Sequence, residues 1–169
     1  MSIPRNFLTA HADTRVVEPF PNRPRPHSVT CLFVHLVWST RDRQPWIEPR
    51  LDGWLAALLE RKARVIECAV LAAGNAPDHV HVLLRHPPRV SVAQIAHRLK
   101  GASSRAVTLQ EGRARDWQVG YWAESVGRRE LELLTRYVAQ QRVHHADRTA
   151  LESWEPPLPY RASPLPSDT

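Results

Sequence analysis

Between Val29 and His145 the hydrophobic period alternates between two and 3.6, and the order of the alternation leaves few folds open. Val29 to Trp38 (VTCLFVHLVW) is β-branched, aromatic and apolar on both faces, which predicts a central strand. Leu51, Trp54, Leu55, Leu58 and Leu59 recur at helical spacing and predict a helix running to about Arg64. Val65 to Ala73 reads as a second strand, Gly74 to Pro77 as a turn, and His79 to Arg85 as a third strand. Ser91 predicts the cap of a helix that carries Val92, Ile95, Leu99 and Ala102 inward, with Gly101 as a weak point. Val119 to Glu124 supplies a fourth strand, and a last helix spans about Arg128 to His145, with Leu131, Leu134 and Val138 on one stripe. The order βαββαβ plus a helix is the split βαβ, ferredoxin-like arrangement of the α+β class. It predicts an antiparallel four-stranded sheet with helices on one face and a further C-terminal helix that bears Tyr137.

Proline brackets this core. Ten of the fifteen prolines lie outside it, so residues 1–27 read as a proline-rich basic arm (Arg15, Arg23, Arg25, His27), residues 28–150 as the domain and residues 151–169 as a proline-rich tail. A chain of 169 residues leaves room for one domain. No apolar run approaches the roughly 20 residues that span a bilayer, and the first residues lack the apolar core of a secretory signal. Cys31 and Cys68 are too few for a disulfide framework or a four-thiolate zinc site. The expected location is therefore the cytoplasm, without a membrane partner. The net charge is +6, and arginine supplies 21 of the 23 cations. That preference suits phosphate, which the guanidinium fork binds through two oxygens.

In Asp78-His79-Val80-His81-Val82-Leu83-Leu84, alternation sends His79 and His81 to one face. Two such imidazoles supply half of a divalent-metal site, or else a pair of polar residues on a sheet. A nucleotide hydrolase of the histidine-triad type is excluded, because a third alternating histidine is replaced by Leu83. Tyr137 and Gln141, four residues apart, share a helix face, so the Gln141 amide could complete a metal shell beside the phenol. The alternative is a packed tyrosine above a solvated glutamine. Imidazole and amide donors alone would also admit Zn²⁺.

Taken in order, these motifs resemble the single-tyrosine HUH transposases of the insertion-sequence 200/605 group. The resemblance runs through His35-Leu36-Val37-Trp38-Ser39-Thr40 with Arg41 and Arg43, then Pro77-Asp78-His79-Val80-His81 and Leu99-Lys100-Gly101-Ala102-Ser103-Ser104. It continues through Trp117-Gln118-Val119-Gly120-Tyr121, Ser125-Val126-Gly127, Tyr137-Val138-Ala139-Gln140-Gln141 and His144-His145. The resemblance implies an enzyme acting on single-stranded DNA with hairpins, and no small-molecule substrate. His79, His81 and Gln141 would hold Mg²⁺ or Mn²⁺, and Tyr137 would attack the phosphate and join the DNA 5′ end. It also implies a bacterial or archaeal, nucleoid-associated protein and a homodimer, with active sites assembled in trans and the first strand as one candidate for joining two sheets edge to edge. Arg41, Arg43, Lys100, Ser103, Ser104 and Arg105 become candidates for DNA contact. Trp117, Tyr121 and Trp122 either stack on bases or pack in the core. Asp78 either orients a ligand or caps its turn, and His144 or His145 would approach metal or DNA. A domesticated nuclease of chromosomal hairpin repeats, or a non-catalytic ferredoxin-like nucleic-acid-binding module, would share this outline.

Overall fold

In the computed structural model, residues 29–151 and 153–155 are described. The basic N-terminal arm, and the proline-rich tail beyond Glu155, lie outside the described residues. The strands are β1 (Leu32–Ser39), β2 (Ala69–Ala76), β3 (His79–His86) and β4 (Trp122–Ser125). The helices are α1 (Asp52–Val65), α2 (Val92–Glu111), α3 (Leu131–Ala139) and α4 (Gln141–Asp147). All pairings are antiparallel, and the sheet order is β2-β3-β1-β4. This is the predicted ferredoxin-like α+β sheet. The first strand lies at its centre, however, so it offers no free edge for joining a second sheet; β2 and β4 are the edges.

Period-two alternation divides the molecule. Val34, Leu36 and Trp38 of β1 and Val80, Val82 and Leu84 of β3 pack with Leu55, Leu58, Leu59, Ile95 and Leu99 of α1 and α2 in the larger core. Leu83 of β3 and Ala72 of β2 meet Leu134, Tyr137 and Val138 of α3 on the opposite face. His79 and His81 share that second face because they alternate with Val80 and Val82. The sheet thus separates a structural core from a chemical one.

Element ends depart from the periodicity where local chemistry intervenes. Gly74, Asn75 and Ala76 continue β2, and chain reversal takes place at Pro77-Asp78, between the paired Ala76 and His79. Proline lacks an N–H and suits such a turn. Ser91 caps α2 as predicted, accepting from the Gln94 N–H at 3.2 Å in a capping box. Gly101 does not interrupt α2. The single predicted last helix is two helices, because Gln140 (φ −109°, ψ 18°) leaves helical geometry between α3 and α4.

Candidate active site

β3 presents His79 and His81 to the chemical face, where both are buried, at 1% and 0% exposure. α3 can seat on that face because β2 carries Gly74 there. An ideal Cβ at Gly74 would overlap the Val138 carbonyl oxygen and lie 3.3 Å from Gln141 Cγ. Gly74 pairs with His81 in the sheet register, so the missing side chain brings the tyrosine helix onto the histidine strand of the same chain. α4 is pinned in turn by Arg142, which donates from Nε to Asp52 Oδ2 (2.7 Å) and from Nη2 to Asp52 Oδ1 (2.6 Å) and to the Ile47 carbonyl (2.9 Å). Asn75 Nδ2 donates to the same carboxylate at 2.7 Å, which ties α1, β2 and α4 together one residue from Gln141.

The two histidines are oriented differently. Asp78 Oδ1 lies 2.7 Å from His79 Nδ1, and Arg43 Nε pairs with Asp78 Oδ2 at 2.6 Å. Asp78 therefore bridges the His79 ring and the Arg43 guanidinium. Burial raises the Asp78 pKa, but the His79 hydrogen bond and Arg43 outweigh it, and the carboxyl lies below its ordinary value. His81 Nδ1 instead faces His35 Nε2 of β1 at 3.0 Å. Burial opposes charging His79, yet Asp78 and Glu155 prevail and raise its pKa. For His81 burial wins and lowers the pKa to about 4; His35, also desolvated and beside His81, falls to about 3. His35 and His81 are neutral rings at pH 7.

Facing them is Glu155, from the segment that its prolines place outside the domain. Its Oε2 lies 3.3 Å from His79 Nε2, 3.4 Å from His81 Nε2 and 3.6 Å from His145 Nε2. Its Oε1 accepts from the Tyr137 hydroxyl at 2.5 Å, and the Tyr137 hydroxyl oxygen in turn accepts from the Leu151 N–H at 3.1 Å. Trp154 packs against the Tyr137 ring with centroids 4.9 Å apart, and His144 stacks on it at 4.7 Å. The start of the tail folds back because its tryptophan and carboxylate find partners here, a tertiary effect that proline composition conceals. Burial and the Glu155 hydrogen bond push the Tyr137 phenol up to about 12. The Glu155 carboxyl is opposed by burial, but the three facing imidazoles draw its pKa far below the ordinary value.

The arrangement passes a chemical test for a divalent cation. His79 Nε2, His81 Nε2, His145 Nε2 and both amide atoms of Gln141 are buried without a hydrogen-bond partner among the described residues. Orphaned buried donors and acceptors are costly, and imidazole nitrogens and an amide oxygen are both donor types that a divalent cation accepts. Donor atoms of His79, His145 and Glu155 lie within 4.8 Å of one another, a group able to hold a metal ion. Sequence reasoning placed His145 near the site but missed His35, Glu155 and Arg142.

The candidate DNA contacts separate into two kinds. Arg105 is exposed. Arg41 pairs with Asp116 at 3.3 Å on the surface, while Arg43 belongs to the Asp78 chain. Lys100 donates to the carbonyls of Gln118 (2.7 Å) and Gly120, and Ser104 to that of Arg115 (2.7 Å). Ser103 is fully buried, donates to the Leu99 carbonyl and accepts from Trp117 Nε1 at 2.9 Å. Ser103 and Trp117 are therefore core residues rather than DNA contacts, since Trp117 packs against Trp38 and Trp46. Trp122 is half-buried edge-on to His35, and Tyr121 packs partly against the larger core. Replacing Ser103 with alanine strands the buried indole N–H, and is expected to cost about 1–3 kcal/mol in a denaturant melt while leaving oligonucleotide affinity unchanged.

Among the described residues no helix is long and apolar enough to cross a membrane. Residues 28–141 match the family described as "Transposase IS200 like". The transposase for insertion sequence element IS200 from Salmonella typhimurium is 29% identical over 101 residues, covering 56% of this chain and 66% of the relative, just under two thirds of its length. The ISDra2 transposase TnpA of Deinococcus radiodurans is 24% identical over 135 residues, or 76% of this chain and 96% of that protein. A solved REP-associated tyrosine transposase, bound to a REP hairpin, matches with a TM-score of 0.54 over 74% of each chain at 15% identity, a likeness of fold. The family match takes in the histidine strand, the tyrosine helix and Gln141 together, and the chain belongs to the IS200-like transposases.

Proposed function

We propose that this transposase is a metal-dependent enzyme that cleaves and rejoins single-stranded DNA at hairpin-marked element ends through a 5′-phosphotyrosine on Tyr137. One observation carries the reading: buried imidazole nitrogens without hydrogen bonds face the same carboxylate that holds the Tyr137 hydroxyl. His79, His81 and Gln141 would hold Mg²⁺ or Mn²⁺, with His145 and Glu155 as further donors. When bound, the ion polarises the scissile phosphate and offsets charge on its oxygens. Tyr137 Oη bonds to phosphorus as the bond to the 3′ oxygen breaks, and the departing oxygen takes a proton from water, leaving a free 3′-hydroxyl. Glu155 accepts a hydrogen bond from the phenol and holds its oxygen beside the imidazoles; with its own pKa drawn far below the ordinary carboxylate range, it leaves the phenol proton to pass to solvent. A pKa near about 12 means that the nucleophile rests as the phenol, so proton removal accompanies attack. A 3′-hydroxyl reverses the step and reseals the strand without ATP, because the phosphotyrosine keeps the diester's energy. The proposal needs no exchange of tyrosine helices between two copies, since Tyr137 and Glu155 stand beside the histidines of their own chain.

The solved neighbour bound to a REP hairpin supports a second reading, a domesticated nuclease of chromosomal hairpin repeats. Oligonucleotides carrying hairpins of the flanking element or of scattered repeats separate the two by which is cut. For either substrate, Mn²⁺ should give a covalent adduct on denaturing gels, and excess chelator should abolish it. An adduct that survives chelation would remove the metal from the mechanism; tight binding without any cleavage would leave only the non-catalytic module.

A further inference from the structure

His35 has no part in the donor set just described, yet it is a fully buried imidazole in the middle of the sheet. It lies on β1 opposite Leu83, two residues from Val37, which pairs with His81. Its other close ring neighbour is Trp122, edge-on with centroids 5.3 Å apart. An apolar side chain would fill this space at lower cost, because His35 Nδ1 is buried without a partner among the described residues. Among the described residues its hydrogen-bond contact is Nε2 to His81 Nδ1 at 3.0 Å, which therefore calls for a reason.

A metal-binding imidazole offers one nitrogen to the ion and donates the N–H of the other, and the acceptor of that N–H fixes tautomer and ring orientation. His79 has such an acceptor in Asp78 at 2.7 Å. For His81 the corresponding atom is His35 Nε2, and His81 Nε2 points toward Glu155 Oε2 at 3.4 Å. We infer that His35 is a positioning residue that accepts the Nδ1–H of His81 and so holds His81 Nε2 open for a divalent cation. The inference rests on the proposed metal reading and deepens it. The two ligands then have unlike supports: a carboxylate behind His79 and a second imidazole behind His81.

The test is Mn²⁺ binding to the full chain without DNA, followed by electron paramagnetic resonance of the free ion. His35→Leu keeps bulk but removes the acceptor, while His35→Gln retains an oxygen near the Nε2 position. His35→Leu should bind Mn²⁺ about 10- to 100-fold more weakly than wild type, with His35→Gln recovering most of that loss. In the wild type loaded with diamagnetic Mg²⁺, long-range ¹H–¹⁵N spectra should show His81 protonated at Nδ1 and His35 unprotonated at Nε2. That readout decides the matter even if His35→Leu does not fold. Unchanged Mn²⁺ affinity in His35→Leu, with or without a lowered melting temperature, or a proton on His35 Nε2, would overturn the assignment. Wild-type protein that binds no Mn²⁺ would overturn the metal reading as well, so the two failures are distinguishable.

Discussion

Tyr137→Phe is expected to abolish covalent attachment to a hairpin oligonucleotide, by at least about 10³-fold, because the variant lacks the oxygen that the proposed mechanism joins to the DNA. The fold should persist. Phenylalanine fills the same space between His144 and Trp154, and what is lost is the hydroxyl's bonds to Glu155 and the Leu151 N–H. These bonds are worth about 1–3 kcal/mol together, and the destabilisation should appear as a modest shift in denaturation midpoint. Binding of the uncut oligonucleotide should be retained, which separates loss of the nucleophile from loss of the site. An undiminished adduct in the variant would place the nucleophile on another residue.

The second large effect falls on a residue with no chemistry. Gly74→Ala puts a methyl where the Val138 carbonyl oxygen now sits, and both overlapping groups belong to packed backbone rather than to a flexible side-chain end. Either α3 lifts from the sheet or β2 bends away, at an expected cost of about 3 kcal/mol or more. Every proposed ligand and the proposed nucleophile remain in the sequence, yet adduct formation should fall at least about 100-fold, since an ångström of misplacement costs about that much. Denaturant titration and adduct formation on the same preparation check both parts. A variant of wild-type stability and activity would show that the helix does not rely on this contact.

The residues that sequence made legible are those whose chemistry follows from local period. His79 and His81 share a face because a strand alternates, and the flanking valines announce the strand. Ser91 and Gln94 form their capping box within three residues, so no tertiary information was needed. The tyrosine and glutamine were also legible, although the helix breaks at Gln140 and Gln141 opens a new one. What remained hidden depends on distant partners. His35 looks like one more residue of an apolar strand until His81, 46 positions away, lies against it. Arg142 reads as a solvated helix arginine, but meets Asp52 across 90 residues. Glu155 sits in a proline-rich stretch whose composition predicts an arm, and only Trp154 beside it, packing on Tyr137, brings the carboxylate inward. Ser103 was misleading for the same reason: its hydroxyl looked available to DNA until Trp117 claimed it.

The most direct measurement is peptide mapping of the covalent product. Trypsin cleavage after Arg136 and Arg142 releases the peptide from Tyr137 to Arg142, and mass spectrometry of a reaction with a short hairpin strand and Mn²⁺ locates the nucleotide. The expected result is this peptide carrying the 5′ phosphate of the cleaved strand on Tyr137, present with Mn²⁺ and missing with chelator. Nucleotide on any other peptide, or the same adduct formed without divalent metal, would contradict the central claim.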